Sequence, residues 1–131
     1  MMASFRLVLL GDFNKQGIKD VLNKVTNEIE NLDGKQFAIL INYINFFGAT
    51  HEVFKIIAEY NYWLVTKNIV AKARVIINKT ISAAIDSQIN LIGKPKHRDF
   101  ESESNAIFWL EMNLYNEIRY MNTNKVLRNV N

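Results

Sequence analysis

The sequence predicts an α/β protein with a single open, mainly parallel four-stranded sheet whose strands alternate with helices. Two observations lead to this prediction. Short apolar runs rich in β-branched or aromatic residues recur along the chain, and a stretch with helical periodicity follows each run. No Pro-, Gly- or Ser-rich linker interrupts the series. Because helices of this length can serve as right-handed crossovers, the element order favours neighbouring parallel strands.

The first half of the chain predicts two strand-helix pairs. Residues 4–10 form an apolar segment that ends at a Gly-Asp pair, and residues 37–41 form a continuous apolar run typical of a central strand covered on both faces. The helix between them is expected to end at Gly34, since glycine accepts the left-handed cap conformation. Thr50 is predicted as the N-cap of the second helix. The apolar stripes of the two helices are Ile18, Leu22, Val25, Ile29 and Leu32, and Val53, Ile57, Tyr60 and Leu64.

The second half predicts two further pairs. A third strand is expected at residues 73–77 and a short edge strand at residues 97–100. The helix between them has Asn78 or Thr80 as its cap, has Ile81, Ala84, Ile85 and Ile92 on one face, and is closed by Gly93 and Pro95. Ser102 or Ser104 caps the last helix, whose stripe is Ile107, Leu110, Leu114, Ile118 and Met121. The single domain is therefore predicted to span residues 1–121, followed by a polar C-terminal tail at residues 122–131.

Composition excludes several classes of function. The 131 residues include no cysteine, which rules out disulfides and thiolate metal sites, and two histidines without a ligand spacing predict no metal or other cofactor. The net charge of +3 is spread along the chain, so no nucleic-acid partner is expected. The one cluster of basic residues, at positions 94–98, is interpreted as a solvated loop. No apolar run is long enough to insert into a membrane, and the expected location is cytoplasmic.

The candidate ligand or phospho-switch region follows the predicted central strand. Asn45, Phe47 and Gly48 lie beyond its carboxyl end, where open α/β sheets usually bind their ligands. Two adjacent aromatic residues there, Phe46 and Phe47, can wall a pocket or form a partner surface, or one can be buried and the other exposed. Thr50 can hold a phosphate or an anion at the start of a helix, or act as a plain N-cap.

No catalytic group stands out, and the chain is interpreted as a protein that is not an enzyme. Residues 11–17 follow a strand and open a helix, but they match neither the dinucleotide-binding nor the P-loop pattern. No Gly-x-Ser-x-Gly elbow is present. His51 and Glu52 are neighbours in a helix and therefore point in different directions. One helix face cannot bury all of the aromatic residues Tyr60, Tyr62, Trp63 and Trp109. Some of them can therefore line a self-association surface, which is compatible with a homodimer.

Two stretches resemble the STAS superfamily, named for sulfate transporters and anti-sigma factor antagonists, and especially its stand-alone bacterial members. The first is the strand from Phe5 to Asp12, and the second is Arg98-Asp99-Phe100 followed by Glu103, Ala106, Trp109 and Leu110. The resemblance implies a regulatory protein that acts by binding. Anti-sigma factor antagonists carry a phosphorylated serine in an Asp-Ser-Ser-Gly turn, and this chain has Gly48-Ala49-Thr50-His51 at that place.

The leading hypothesis is a non-enzymatic STAS-like regulatory module that binds either a partner protein or a small apolar or anionic ligand. The alternative is a small-molecule carrier or an enzyme whose site lies at the carboxyl ends of the strands, near Asn45 to Thr50.

Overall fold

A computed structural model describes the backbone of residues 2–87, 96–121 and 126–130, and the side chains of residues 4–87 and 96–115. In chain order the helices and strands are β1 (Met2–Val8), β2 (Gly11–Phe13), α1 (Lys15–Glu30), β3 (Phe37–Asn42), β4 (Phe46–Ala49), α2 (His51–Val65), β5 (Ile69–Val75), α3 (Lys79–Asp86), β6 (Lys96–Phe100), α4 (Glu103–Met121) and β7 (Val126–Val130). Within these residues, no helix is both long enough and apolar enough to cross a membrane.

The main sheet confirms the predicted α/β class. Its described strands lie in the order β6-β5-β3-β1-β7, and every neighbouring pair is parallel. The four strands predicted from the sequence are β1, β3, β5 and β6, with β3 in the middle and β6 at an edge as expected. The sequence did not predict β7, which pairs with the outer side of β1 and lies in the stretch interpreted as a polar tail.

The direction of the crossovers places the helices on opposite faces of the sheet. From β1 through β3 and β5 to β6 the chain steps along the sheet in one direction, so right-handed crossovers put α1, α2 and α3 on one face. The step from β6 to β7 runs the other way across three strands, and α4 accordingly packs on the opposite face against β3, β5 and β6. Among the described residues, three helices thus cover one face of the sheet and one helix covers the other.

The two faces have cores of different character. Large side chains of β1 and β3, among them Phe5 and Ile39, pack with the apolar stripes of α1, α2 and α3. Under α4 the sheet instead presents small residues such as Ala71 and Ala73, which meet Ala106. Because alanine side chains are short, the α4 backbone can approach the sheet closely. β3 is buried on both faces, which explains its uninterrupted apolar sequence.

Polar caps fix where the helices begin. The Asn14 Oδ1 accepts a 2.8 Å hydrogen bond from the Gly17 amide at the start of α1. Asn78, rather than Thr80, caps α3 by accepting from two amides, and Ser102 accepts from the Asn105 amide at the start of α4. α3 ends at Asp86, whereas the predicted Ile92, Gly93 and Pro95 lie outside the described residues.

Candidate functional site

The predicted ligand region lies at the carboxyl edge of the sheet, where β2 and β4 form a second, two-stranded parallel sheet. The Gly11 amide donates a 2.7 Å hydrogen bond to the Asn45 carbonyl, which joins the chain after β1 to the chain after β3. Gly11 has a φ of +82°, a left-handed conformation that suits glycine at this turn. The sequence predicted the location of the region but not this small sheet.

The two adjacent phenylalanines of β4 have opposite environments. Phe46 is buried and stacks on Phe13 at 5.7 Å between ring centroids, with edge contacts to Tyr43 and Phe54. Phe47 points into solvent, since successive side chains of a strand alternate between its faces. Of the two aromatic residues, Phe46 is therefore part of the core and Phe47 is exposed to solvent.

Gly48 lies at a close approach within the small sheet. A Cβ atom built at this position would lie 3.0 Å from the Asp12 Oδ1, and Asp12 is its register partner in β2. A side chain at this position would shift the exposed Asp12 carboxylate by a few tenths of an ångström. Gly48 thus lets β2 and β4 approach closely on this side.

Thr50 caps α2, as predicted. Its Oγ1 accepts a 3.4 Å hydrogen bond from the Val53 amide, while the residue itself is exposed. Beside it, Glu52 in the first helical turn pairs with Lys15 of α1 at 3.1 Å. Use of Thr50 as an anion or phosphate site stays a prediction.

A row of exposed apolar side chains runs along this edge, and the sequence analysis missed it. Val8, Asn42 and Val75 are register partners on β1, β3 and β5, and two residues beyond each of them comes a large apolar residue. With Phe47, these residues form what we call the apolar edge, and their exposed fractions are 62% for Leu10, 37% for Ile44, 70% for Phe47 and 57% for Ile77. The sequence signal for this row is that Leu10, Ile44 and Ile77 each lie two residues after a strand end. This signal can be recognised only when the register of the strands is known.

The point at which the crossovers change face also lies at this edge. The connection after β5 leads to α3 on one face, and the connection after β6 leads to α4 on the other. Open α/β sheets commonly bind ligands where the connections after two neighbouring strands lead to opposite faces of the sheet. Ile77 lies two residues after β5, whereas the predicted region at Asn45 to Thr50 follows β3, the neighbouring strand.

Below the apolar edge, on the α4 face, an ion pair holds the start of α4. The Arg6 Nε lies 2.6 Å from the Glu103 Oε1, and the Asn42 Nδ2 donates to the Glu103 Oε2 at 2.5 Å. Hydrogen bonds from Arg6, and then from Asn42, keep the pKa of Glu103 below its ordinary value. The Asn42 Oδ1 accepts from the Ile44 amide, so this cluster also positions the loop that carries Ile44.

A second arginine cluster lies on the opposite face, between β5, β6 and α3. Arg74 is buried and donates four hydrogen bonds, two to Asp86 and two to Asp99, of 2.8–3.1 Å. Burial alone would raise the pKa of Asp99, but hydrogen bonds from His97 and Arg74 hold it far below its ordinary value. Burial also raises the pKa of the neighbouring Tyr43 well above its usual range.

This cluster changes the interpretation of the basic stretch. Residues 96–98 belong to strand β6 rather than to a loop, and Lys94 lies outside the described residues. His97 is 3.0 Å from Asp99 on one face of the strand, whereas Arg98 lies over the Phe100 ring. The sequence analysis found no ligand spacing for either histidine, although the His-x-Asp spacing in a strand puts both side chains on one face.

The side chains that form the apolar edge are aliphatic or aromatic. Asn45, Phe47, Gly48 and Thr50 include no titratable side chain. Over the described ranges 2–87, 96–121 and 126–130, no group of three or more acidic or histidine side chains could hold a metal ion.

Comparisons with family models, with curated proteins and with solved structures found no significant match.

Proposed function

We propose that this chain is a non-enzymatic, STAS-like binding module, and that a partner protein docks on the apolar edge of its sheet. The observation that carries the proposal is the exposure of Leu10, Ile44, Phe47 and Ile77 at the carboxyl edge of the main sheet. Exposed apolar side chains that recur together, rather than singly, are typical of interaction surfaces.

The surroundings of the apolar edge favour a protein as the occupant. Polar residues lie next to the apolar side chains in the chain: Asn45 follows Ile44, and Asn78 follows Ile77. The Asp12 carboxylate approaches Gly48, the neighbour of Phe47. An apolar centre with a hydrogen-bonding rim is the usual anatomy of a protein interface. The edge is also preformed, because the ladder continues past the strand ends through hydrogen bonds from Leu9 to Asn42 and from Tyr43 to Val75. A preformed surface loses little conformational entropy when it binds.

Thr50 gives this surface a point of regulation. Phosphorylation there would add up to two negative charges at the exposed rim, at the start of α2. In the proposed cytoplasmic setting, a kinase could switch the module by changing the charge beside Phe47. We expect Thr50→Glu to change the affinity for the partner and Thr50→Ser to leave it unchanged.

The test begins with affinity capture from the extract of its own cells and continues with the captured protein in purified form. Calorimetric titration against the wild type, Phe47→Ser and Ile77→Ser should show about tenfold weaker binding for each variant, since removal of a central apolar contact costs roughly 1–2 kcal/mol. Tyr62→Ser is the matched control, because Tyr62 is an exposed aromatic residue of α2 outside the edge.

Equal affinities for all four proteins would refute the proposal. A metabolite that raises the melting temperature of the wild type, but not of Phe47→Ser, would instead support the small-molecule carrier or enzyme considered from the sequence.

A further inference from the structure

A groove on the outer surface between α1 and α2 has the size of a small-ligand site. Its volume is about 390 Å³, and its lining includes Leu22, Thr26, Ile56, Tyr60 and Trp63. Ion pairs close both ends of the helix pair, Lys15 with Glu52 at 3.1 Å and Lys67 with Glu30 at 3.6 Å. The groove lies on the helical layer and is separate from the apolar edge.

The aromatic wall of the groove is held in place by a hydrogen-bond chain. The Thr26 hydroxyl donates to the Leu22 carbonyl at 2.9 Å, so its 3.0 Å contact with the Tyr60 hydroxyl has Tyr60 as the donor. Burial raises the pKa of Tyr60 to about 12, and the ring therefore stays neutral. Trp63 packs against it with 5.2 Å between ring centroids. The two rings form a fixed apolar surface.

Lys67 of the chain itself makes a cation-π contact with the aromatic wall. The Lys67 Nζ lies 4.9 Å from the centroid of the Trp63 ring and 3.6 Å from a Glu30 carboxylate oxygen. An ammonium group gains from both contacts, since the face of an indole ring carries negative potential. Lys67 does not itself line the groove, but its contacts show that two lining residues, Trp63 and Glu30, accept an ammonium group.

We propose that the groove binds a small organic cation with an apolar body, in which a substituted ammonium group lies at the Trp63 end. Glu30 and Glu59 line the groove and supply two carboxylates, and Leu22 and Ile56 contact the apolar body. Lys19 also lines the groove, but it is eleven residues before Glu30 on α1 and so about 16 Å away along the helix axis. The cation thus occupies the acidic, aromatic end.

The experiment compares three soluble probes that share one hexyl chain: hexyltrimethylammonium, 1-hexanol and hexanoate. Two-dimensional NMR of the whole chain follows the Trp63 indole N–H during each titration. We expect saturable shifts for the cation, at least fivefold weaker binding of the alcohol, and none for hexanoate. Equal binding of all three probes, or no binding of the cation, would overturn the proposal.

Variants separate the charge from the groove itself. Trp63→Leu and Glu59→Gln should each weaken binding of the cation about threefold, the size expected for an exposed cation-π contact or a partly screened charge. Lys67→Met should strengthen it, because the competing ammonium is gone. Glu101→Gln is the control, as Glu101 is exposed and outside the groove. Weaker binding by Lys67→Met, or an equal loss with Glu101→Gln, would contradict the assignment.

Discussion

The two arginine clusters use similar chemistry on opposite faces of the sheet and differ in burial. Arg74 is 2% exposed and holds Asp86 and Asp99, which ties α3 and the edge strand β6 to β5. The Arg6 side chain is 38% exposed and holds Glu103, which ties the start of α4 to β1. A buried charge without its partners is costly, whereas water and salt compensate an exposed one. We therefore expect the first cluster to contribute more to the free energy of unfolding than the second, which orients an element that the sheet already holds.

Replacement of Arg74 should have the largest effect. Arg74→Met leaves Asp86 and Asp99 close together without the buried cation, and we expect it to lower the free energy of unfolding by about 3 kcal/mol. Urea denaturation followed by circular dichroism measures this loss. A loss below about 1 kcal/mol would mean that the two carboxylates regain water freely.

The two carboxylates should not be equivalent. Asp99 accepts from Arg74 and from His97 and is less exposed than Asp86. Asp99→Asn is therefore expected to cost about 2 kcal/mol and Asp86→Asn about 1 kcal/mol, since hydrogen bonds to charged groups contribute in this range. Thermal unfolding of both variants in one buffer provides the measurement, and the reverse order would contradict the role given to β6.

The effect of acid pH on stability tests whether the ion pairs of Arg74 cause the loss in Arg74→Met. The pKa of Asp99 is lower in the folded state than in the unfolded chain, so its contribution is present above the ordinary pKa of about 4 and is lost as the pH falls below it. In Arg74→Met that lowering largely disappears. The difference in unfolding free energy between the two proteins should shrink by about 1 kcal/mol between pH 5 and pH 3. A constant difference over this range would argue against the ion pairs as its source.

Replacement of Arg6 should have the smallest effect. Arg6→Met is expected to cost about 0.5 kcal/mol in low salt and less in 0.5 M NaCl, since salt screens exposed pairs. The same urea experiment at two salt concentrations measures it. A loss as large and as salt-independent as that of Arg74→Met would remove the distinction between the two clusters.

The sequence predicted the elements whose pattern is local. The apolar stripes of α1 and α2 and the uninterrupted run of β3 each report burial by nearby residues, and the Thr50 cap needs only the helix that follows it. In contrast, β2, β4 and β7 are short strands defined by pairing with distant parts of the chain. Their sequences carry no distinct alternation, so pairing rather than propensity decides them.

The candidate site was predicted in part, for a similar reason. The position of Asn45 to Thr50 after the central strand follows from element order, which is readable in the sequence. The apolar edge requires the register that aligns Leu10, Ile44 and Ile77, and the Arg74 cluster requires β5 and β6 to be neighbours. Arg74 between Ala73 and Val75 in an apolar stretch was a local sign of a buried charge that must have partners.

The pairing of β1 with β7 means that the outer side of β1 stays open during synthesis until the ribosome has released residues 126–130. A nascent chain shortened before β7 presents unpaired amide and carbonyl groups on β1, and another chain can pair with such an edge. Of the described inner strands, β1 is therefore the last to gain both of its neighbours.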